Sequence, residues 1–186
     1  MSADMSTIEN YVGQVTDGLA SQGFRRFLFV NIHAGSLGPL ESVCRSLRSR
    51  WGCVGGLIDV FSVMRDVADV KYETQKAPTG HGSEMVTSVA LHLAPELVSM
   101  DKIKKPADLR SFVDGVTTLS SGKVSYGKSS FQVFSNISDY APLGVQGDAS
   151  GANAEKGKII FDSACDYIAD AASKFSAMVL NSEAGK

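Results

Sequence analysis

Phe27-Leu28-Phe29-Val30-Asn31-Ile32-His33-Ala34-Gly35-Ser36 is a wholly apolar run that passes straight into a loop of small residues carrying one histidine. A strand apolar on both faces is an inner strand of a parallel sheet covered by helices on each side. Loops beyond the carboxyl ends of such strands carry no ladder hydrogen bonds, and ligands bind there. The stretch therefore implies an α/β fold and places His33 where chemistry is done.

The surroundings agree. Ser6-Thr7-Ile8-Glu9 has capping-box spacing, and Ile8, Tyr11, Val12, Val15 and Leu19 recur three and four apart before Gly23, which predicts a helix over 7–22. A strand over 24–30, a helix over 37–50 with Leu40, Val43, Cys44 and Leu47 inward, and a second strand within 54–63 that ends near Asp59 or shortly after it come next. Residues 66–80 are polar, with Pro78 and Gly80, and read as a long loop or lid. A helix over 82–93 comes next. Residues 120–138 read as short antiparallel strands, and a last helix begins near Ala152 and carries Ile159, Ile160, Ala164, Tyr167, Ile168 and Ala171. Alternation of this kind specifies a mostly parallel sheet flanked by helices on both faces, with a small antiparallel hairpin element.

At 186 residues the chain suits one domain, 1–186. A hydrophobic content of 44% and a charged content of 20% are those of a globular protein. No apolar run approaches the ~20 residues that span a bilayer, and the start has no basic-then-apolar signal, so the expected setting is the cytoplasm, away from membranes. A net charge of −2 with mixed signs does not supply the field that holds a nucleic-acid backbone. Arg45, Arg48 and Arg50 read as a solvated helix face. Cys44, Cys53 and Cys165 contain no Cys-x-x-Cys pair and read as reduced packing residues.

Candidate chemistry is confined to a few positions. His33 reads either as a metal ligand or as a loop histidine bonded to a neighbouring carbonyl. His81, between Gly80 and Gly82 at a helix start, reads either as an acid or base beside exposed helix amides, or as part of the helix entry. Glu84 reads as a helix-dipole residue, His92 as structural, and Asp59 as a loop cap or, less favoured, a carboxylate ligand. Ser36, Thr87 and Ser88 stand in no nucleophile elbow, and neither a Gly-x-Gly-x-x-Gly nor a Walker loop occurs. A nucleotide-binding module is therefore the weakest reading.

Three blocks resemble the creatininase family of metal-dependent amidohydrolases. Residues 24–36 resemble its strand ending in Asn-Gly-His-Gly-Gly-Asn. His81-Gly82-Ser83-Glu84-Met85-Val86-Thr87-Ser88, with Leu91 and Pro95-Glu96-Leu97-Val98 after it, resembles its His-Ala-Gly-x-x-Glu-Thr-Ser helix start. Gly144-Val145-Gln146-Gly147-Asp148 with Ala154-Glu155-Lys156-Gly157 resembles its closing segment.

The resemblance implies a creatininase-like fold and hydrolysis of cyclic amides by a metal-bound water, with Zn or Mn as the metal. It implies His33 as the metal ligand and His81 as the catalytic residue that assists ring opening, with Asn31 supporting the loop. Departures are that Ile32 replaces a glycine, Ser36 an asparagine, and Val86 a metal-binding glutamate. The family's Glu-x-His pair and downstream Asp precede its first helix, so an N-terminally short chain is expected. A hydrolytic zinc or manganese site needs about three or more protein ligands. The implied protein is a non-autonomous or degenerate subunit, a homo-oligomer or a hetero-oligomer with a longer creatininase-like subunit that supplies ligands. The alternative is a non-catalytic structural or regulatory α/β interaction protein.

Overall fold

The computed structural model describes residues 3–74, 80–103, 111–120, 123–134, 136–141 and 143–179. The chain divides into two compact units, one of residues 1–67 with 163–186 and one of residues 68–162.

The first unit begins with α1 (Met5–Ser21). Its start differs from the capping-box expectation: Asp4 occupies the N-cap, without a side-chain bond. Ser6 and Glu9 thus lie inside the helix, and the Glu9 carboxylate accepts from Ser42 Oγ at 2.5 Å. Gly23, at φ +102°, ends α1. Its N–H donates to Ala20 C=O at 3.1 Å and the Phe24 N–H to Leu19 C=O at 3.2 Å, a Schellman closure.

Strand β1 (Arg26–Asn31) then enters the sheet, α2 (Leu37–Trp51) packs on it, and β2 (Val54–Asp59) returns parallel to β1. Phe27 pairs with Gly55 and Leu28 with Gly56. These glycines are spacers for the covering helices. A Cβ at 55 would lie 2.8 Å from Cys44 Cβ of α2, and one at 56 would lie 2.7 Å from the Phe175 ring on the opposite face. Helices thus cover both faces, but among the described residues this sheet has only β1 and β2, so β1 has a neighbouring strand on one side and not on both as an inner strand would. Ala20, Phe27, Val43, Leu47 and Cys53 form the core on the α2 side.

Strand β2 stops at Asp59, where its end is expected, and helix α3 (Val60–Val67) follows directly. Asp59 makes the change by accepting from the Phe61 N–H at 3.3 Å and from Ser62 Oγ at 2.7 Å. Cys53 is buried and Cys44 half-buried, whereas Cys165 is exposed, which corrects its reading as a packing residue.

In the second unit, residues 68–74 and 80–83 are irregular, and Pro78 of the expected lid lies outside the described residues. Helix α4 (Glu84–Leu93) precedes four antiparallel strands in sequential order: β3 (Ser111–Val113), β4 (Val116–Ser120), β5 (Lys123–Tyr126) and β6 (Ser129–Gln132). This sheet starts earlier than expected. Asp114-Gly115 and Gly127-Lys128 make two of its turns, with φ of +77° at Gly115 and +55° at Gly127, the conformation that tight hairpins require.

Helix α5 (Ile137–Tyr140) is one short turn, and α6 (Ala154–Ser176) opens in this unit. Asn153 caps α6 by accepting from the Lys156 N–H at 2.9 Å. No helix among the described residues is long and apolar enough to cross a membrane.

Candidate functional site

The first candidate loop leaves β1 at Asn31. That side chain is 6% exposed, and its Nδ2 donates to His33 C=O at 2.7 Å, which holds the loop backbone against the strand end. His33 is extended at φ −143°, ψ 123°, and heads a 3₁₀ turn over Ala34–Ser36. Its exposed ring folds over Gly35, where a Cβ would lie 2.9 Å from Cε1. The bond to a neighbouring side chain is therefore made by the His33 carbonyl, while the imidazole faces solvent. Asp59 is paired with Asn31 across the sheet, but both its oxygens serve α3.

The second loop lies in the other unit. Gly80 and Gly82 have φ of +107° and +62°, and between them the His81 carbonyl accepts the N–H groups of Gln146 and Gly147, each at 2.9 Å. His81 is thus fixed by its backbone while its ring remains exposed. The helix start behind it is capped by Ser83. Ser83 Oγ accepts from the Val86 N–H at 3.4 Å, so one of the expected open amides is taken, and Ser83 C=O accepts the first intrahelical bond from the Thr87 N–H at 2.9 Å.

Glu84 is where expectation and structure differ most. A helix-dipole residue stands in solvent, yet Glu84 is 0% exposed. Its carboxylate accepts from Lys156 Nζ at 2.6 Å, the Thr74 N–H at 2.8 Å, Thr74 Oγ1 at 2.5 Å and the Glu73 N–H at 3.1 Å. Burial pushes its pKa up, but the Lys156 ammonium, the Thr74 hydroxyl and the two backbone amides outweigh that and hold it at about 2. Lys156 is raised in turn, chiefly by its bond to Glu84. The same ammonium donates to Gly151 C=O at 2.9 Å and Glu73 Oε1 at 3.0 Å.

Close by, burial first and then the Glu84 charge raise the Tyr72 hydroxyl pKa. That hydroxyl and Gln146 Nε2 are buried without a partner among the described residues. Tyr72, Glu73, Thr74 and the roles of Gln146 and Lys156 were not singled out from the sequence; the signals available were the Gly144-Val145-Gln146-Gly147-Asp148 and Ala154-Glu155-Lys156-Gly157 blocks. His92 stacks at a tilt on Phe161, centroids 6.1 Å apart, as a structural residue should.

Two loops after apolar elements, each bearing a histidine, and a Glu–Lys lock between a Gly-Ser-Glu helix start and a Glu-Lys-Gly helix start are the features to compare with known proteins. The family model described as "Creatininase: Creatinine amidohydrolase" matches residues 1–172. The chain belongs to the creatininase family.

Solved creatininase structures share its fold. A structure titled "Creatininase Mn" superposes with a TM-score of 0.60 at 21% identity, covering 92% of this chain and 64% of that one. A mutant creatininase of Zn-Zn type gives 0.57 at 21% identity, with the same 92% and 64% coverage. A mutant creatininase complexed with creatine gives 0.59 at 21%, covering 94% and 67%. The chain thus spans 64% of the length of the first two of these relatives and 67% of the third. A comparison with curated proteins found no match.

Creatininase structures include manganese and zinc forms. Among the described residues, no group of three or more His, Cys, Asp or Glu side chains could hold a metal ion. Asp59 is committed to α3 and Glu84 to Lys156. Val86 offers no donor. These residues do not fit a hydrolytic centre of three protein ligands.

Proposed function

We propose that this chain is an amidohydrolase-like subunit of the creatininase family, related to enzymes that open cyclic amides with a metal-bound water, and that it is non-autonomous or degenerate. The observation that carries this reading is the saturation of Glu84. This fully buried carboxylate beside the His81 loop spends its lone pairs on Lys156, Thr74 and Glu73. It has no oxygen to spare for a cation.

What the chain does offer is substrate-side chemistry. His81, with its backbone pinned and its ring exposed, suits polarising a carbonyl or protonating a leaving nitrogen. His33 offers one imidazole toward a metal, with Asn31 holding its loop. The remaining ligands would come from another chain, either a second copy or a longer creatininase-like subunit. Val86, which offers no donor, favours the second reading, a structural or regulatory protein that keeps the fold without the reaction.

Metal analysis of the purified chain separates the two. Stoichiometric zinc or manganese that is lost on His33→Ala, together with cyclic-amide hydrolysis that is lost on His81→Ala, supports the enzyme reading. Absence of bound metal and of hydrolysis, in the isolated chain and in any stoichiometric complex it forms, leaves the non-catalytic one.

A further inference from the structure

The loop that carries His81 has little stiffness of its own. Gly80 and Gly82 flank it at φ +107° and +62°, and glycine is the most permissive residue, so the loop's position is set by what it rests on. It rests on residues 145–147. The His81 carbonyl accepts from the N–H groups of Gln146 and Gly147. A Cβ at Gly80 would lie 3.1 Å from Gln146 Oε1, and one at Gly82 would lie 3.3 Å from Val145 Cγ1. This short stretch is the floor of the loop, and Gln146 within it is buried.

A few residues on, the same backbone sits against the Glu84–Lys156 pair. Gly151 C=O accepts from Lys156 Nζ at 2.9 Å, and a Cβ at Gly151 would lie 2.8 Å from Glu84 Cδ. Thr74 Oγ1, bonded to the Glu84 carboxylate, also lies 3.2 Å from Asp148 C=O. A closed circuit results. It runs from His81 along the chain to Glu84, across 2.6 Å to Lys156, on to Gly151, back along the chain to Gly147 and Gln146, and into the His81 carbonyl. All of it lies within the second unit.

We propose that Glu84 and Lys156 are positioning residues for His81: their ion pair holds the 145–151 backbone on which the histidine loop rests, and so fixes where the imidazole is presented. The proposal rests on the reading of His81 as the group that meets an amide substrate. A buried ion pair adds little net stability over well-packed apolar side chains of the same volume, because desolvation offsets its attraction. What it adds is direction. The Glu84 carboxylate accepts from Lys156, from Glu73 and twice from Thr74, and the Lys156 ammonium donates to Glu84, Glu73 and Gly151, so each group has one place to be. A reacting group misplaced by about 1 Å loses roughly 10²-fold in rate, which makes the anchor of its loop matter to the chemistry.

Nuclear magnetic resonance on the full chain tests this without substrate. In the wild type the His81 N–H should have the order parameter of rigid backbone, about 0.85, and in Lys156→Met it should fall toward about 0.6. The Gln146 and Gly147 amides should lose about tenfold more hydrogen-exchange protection than those of β4 and β5, which belong to the same unit but stand outside the circuit. A pair that served stability alone would lower all these amides together and leave the folded His81 loop rigid. If Lys156→Met does not fold, Glu84→Gln takes its place, with both readings expected to move in the same direction.

An unchanged order parameter at His81, or a uniform loss of protection, overturns the proposal. Where the chain or a complex it forms hydrolyses a cyclic amide, kcat should also fall about tenfold or more with KM little changed; an unchanged kcat would overturn it too. Absence of hydrolysis in the wild type sinks the catalytic reading of His81 and leaves the anchoring of its loop to be decided by the resonance data.

Discussion

Replacing Lys156 by Met removes the ammonium that neutralises the buried Glu84 carboxylate. Glu84 falls from an ordinary 4.5 to about 2 in the fold. At about 1.4 kcal/mol per unit, that shift is worth roughly 3 kcal/mol of stability. Because the folded pKa is the lower one, this contribution is complete above about pH 4.5 and is lost as the pH falls toward 2. Glu84 is 0% exposed, so solvent screening does not reduce it.

Lys156→Met leaves the carboxylate with the Thr74 and Glu73 donors only. Breaking one side of a buried pair costs about 3–5 kcal/mol, a large share of the ~5–15 kcal/mol that holds a domain. Urea unfolding monitored by circular dichroism should therefore show a deficit of that size at pH 7. The deficit should shrink between pH 4.5 and 2.5, where the wild type begins to lose its advantage. Glu84→Gln should cost less, because Lys156 keeps Glu73 and the Gly151 carbonyl. It should also flatten the acid slope. A Lys156→Met deficit under about 1 kcal/mol at neutral pH, or one independent of pH, would contradict the electrostatic account.

Packing makes further tests possible. Gly157→Ala should destabilise strongly, by about 2 kcal/mol or more, since its Cβ would fall 1.9 Å from the Ser88 carbonyl oxygen of α4. Gly18→Ala in α1, where a Cβ meets nothing within 4 Å, should instead stabilise by about 0.5–1 kcal/mol. Finding the two equal in thermal melts would undo the close-approach argument. Asp59→Ala should cost about 1 kcal/mol through loss of the α3 cap, with no change in metal content; a change in bound metal would restore Asp59 as a ligand.

Much of the first unit could be read from local pattern. Helix α1, the β1 run, α2 and the start of β2 arise from apolar spacing and from Gly23 and Gly52, because one buried face imposes its period on contiguous residues. The same logic placed the end of β2 near Asp59 but did not foresee α3, which a single side chain starts within three residues. It also missed the Asp114-Gly115 turn, although that dipeptide is itself a local hairpin signal.

The histidine loops were visible because glycine and small residues mark them, and the family could be named from the blocks around them. Whether Glu84 stands in solvent or in a lock could not be seen that way. Its decisive partner lies 72 residues along the chain, and nothing in the spacing of Glu84 and Lys156 records their meeting. Local sequence sets periodicity and turns, which act over a few residues. The charge state and availability of a side chain depend on which distant groups the folded chain brings within bonding range, and on the loss of water around them.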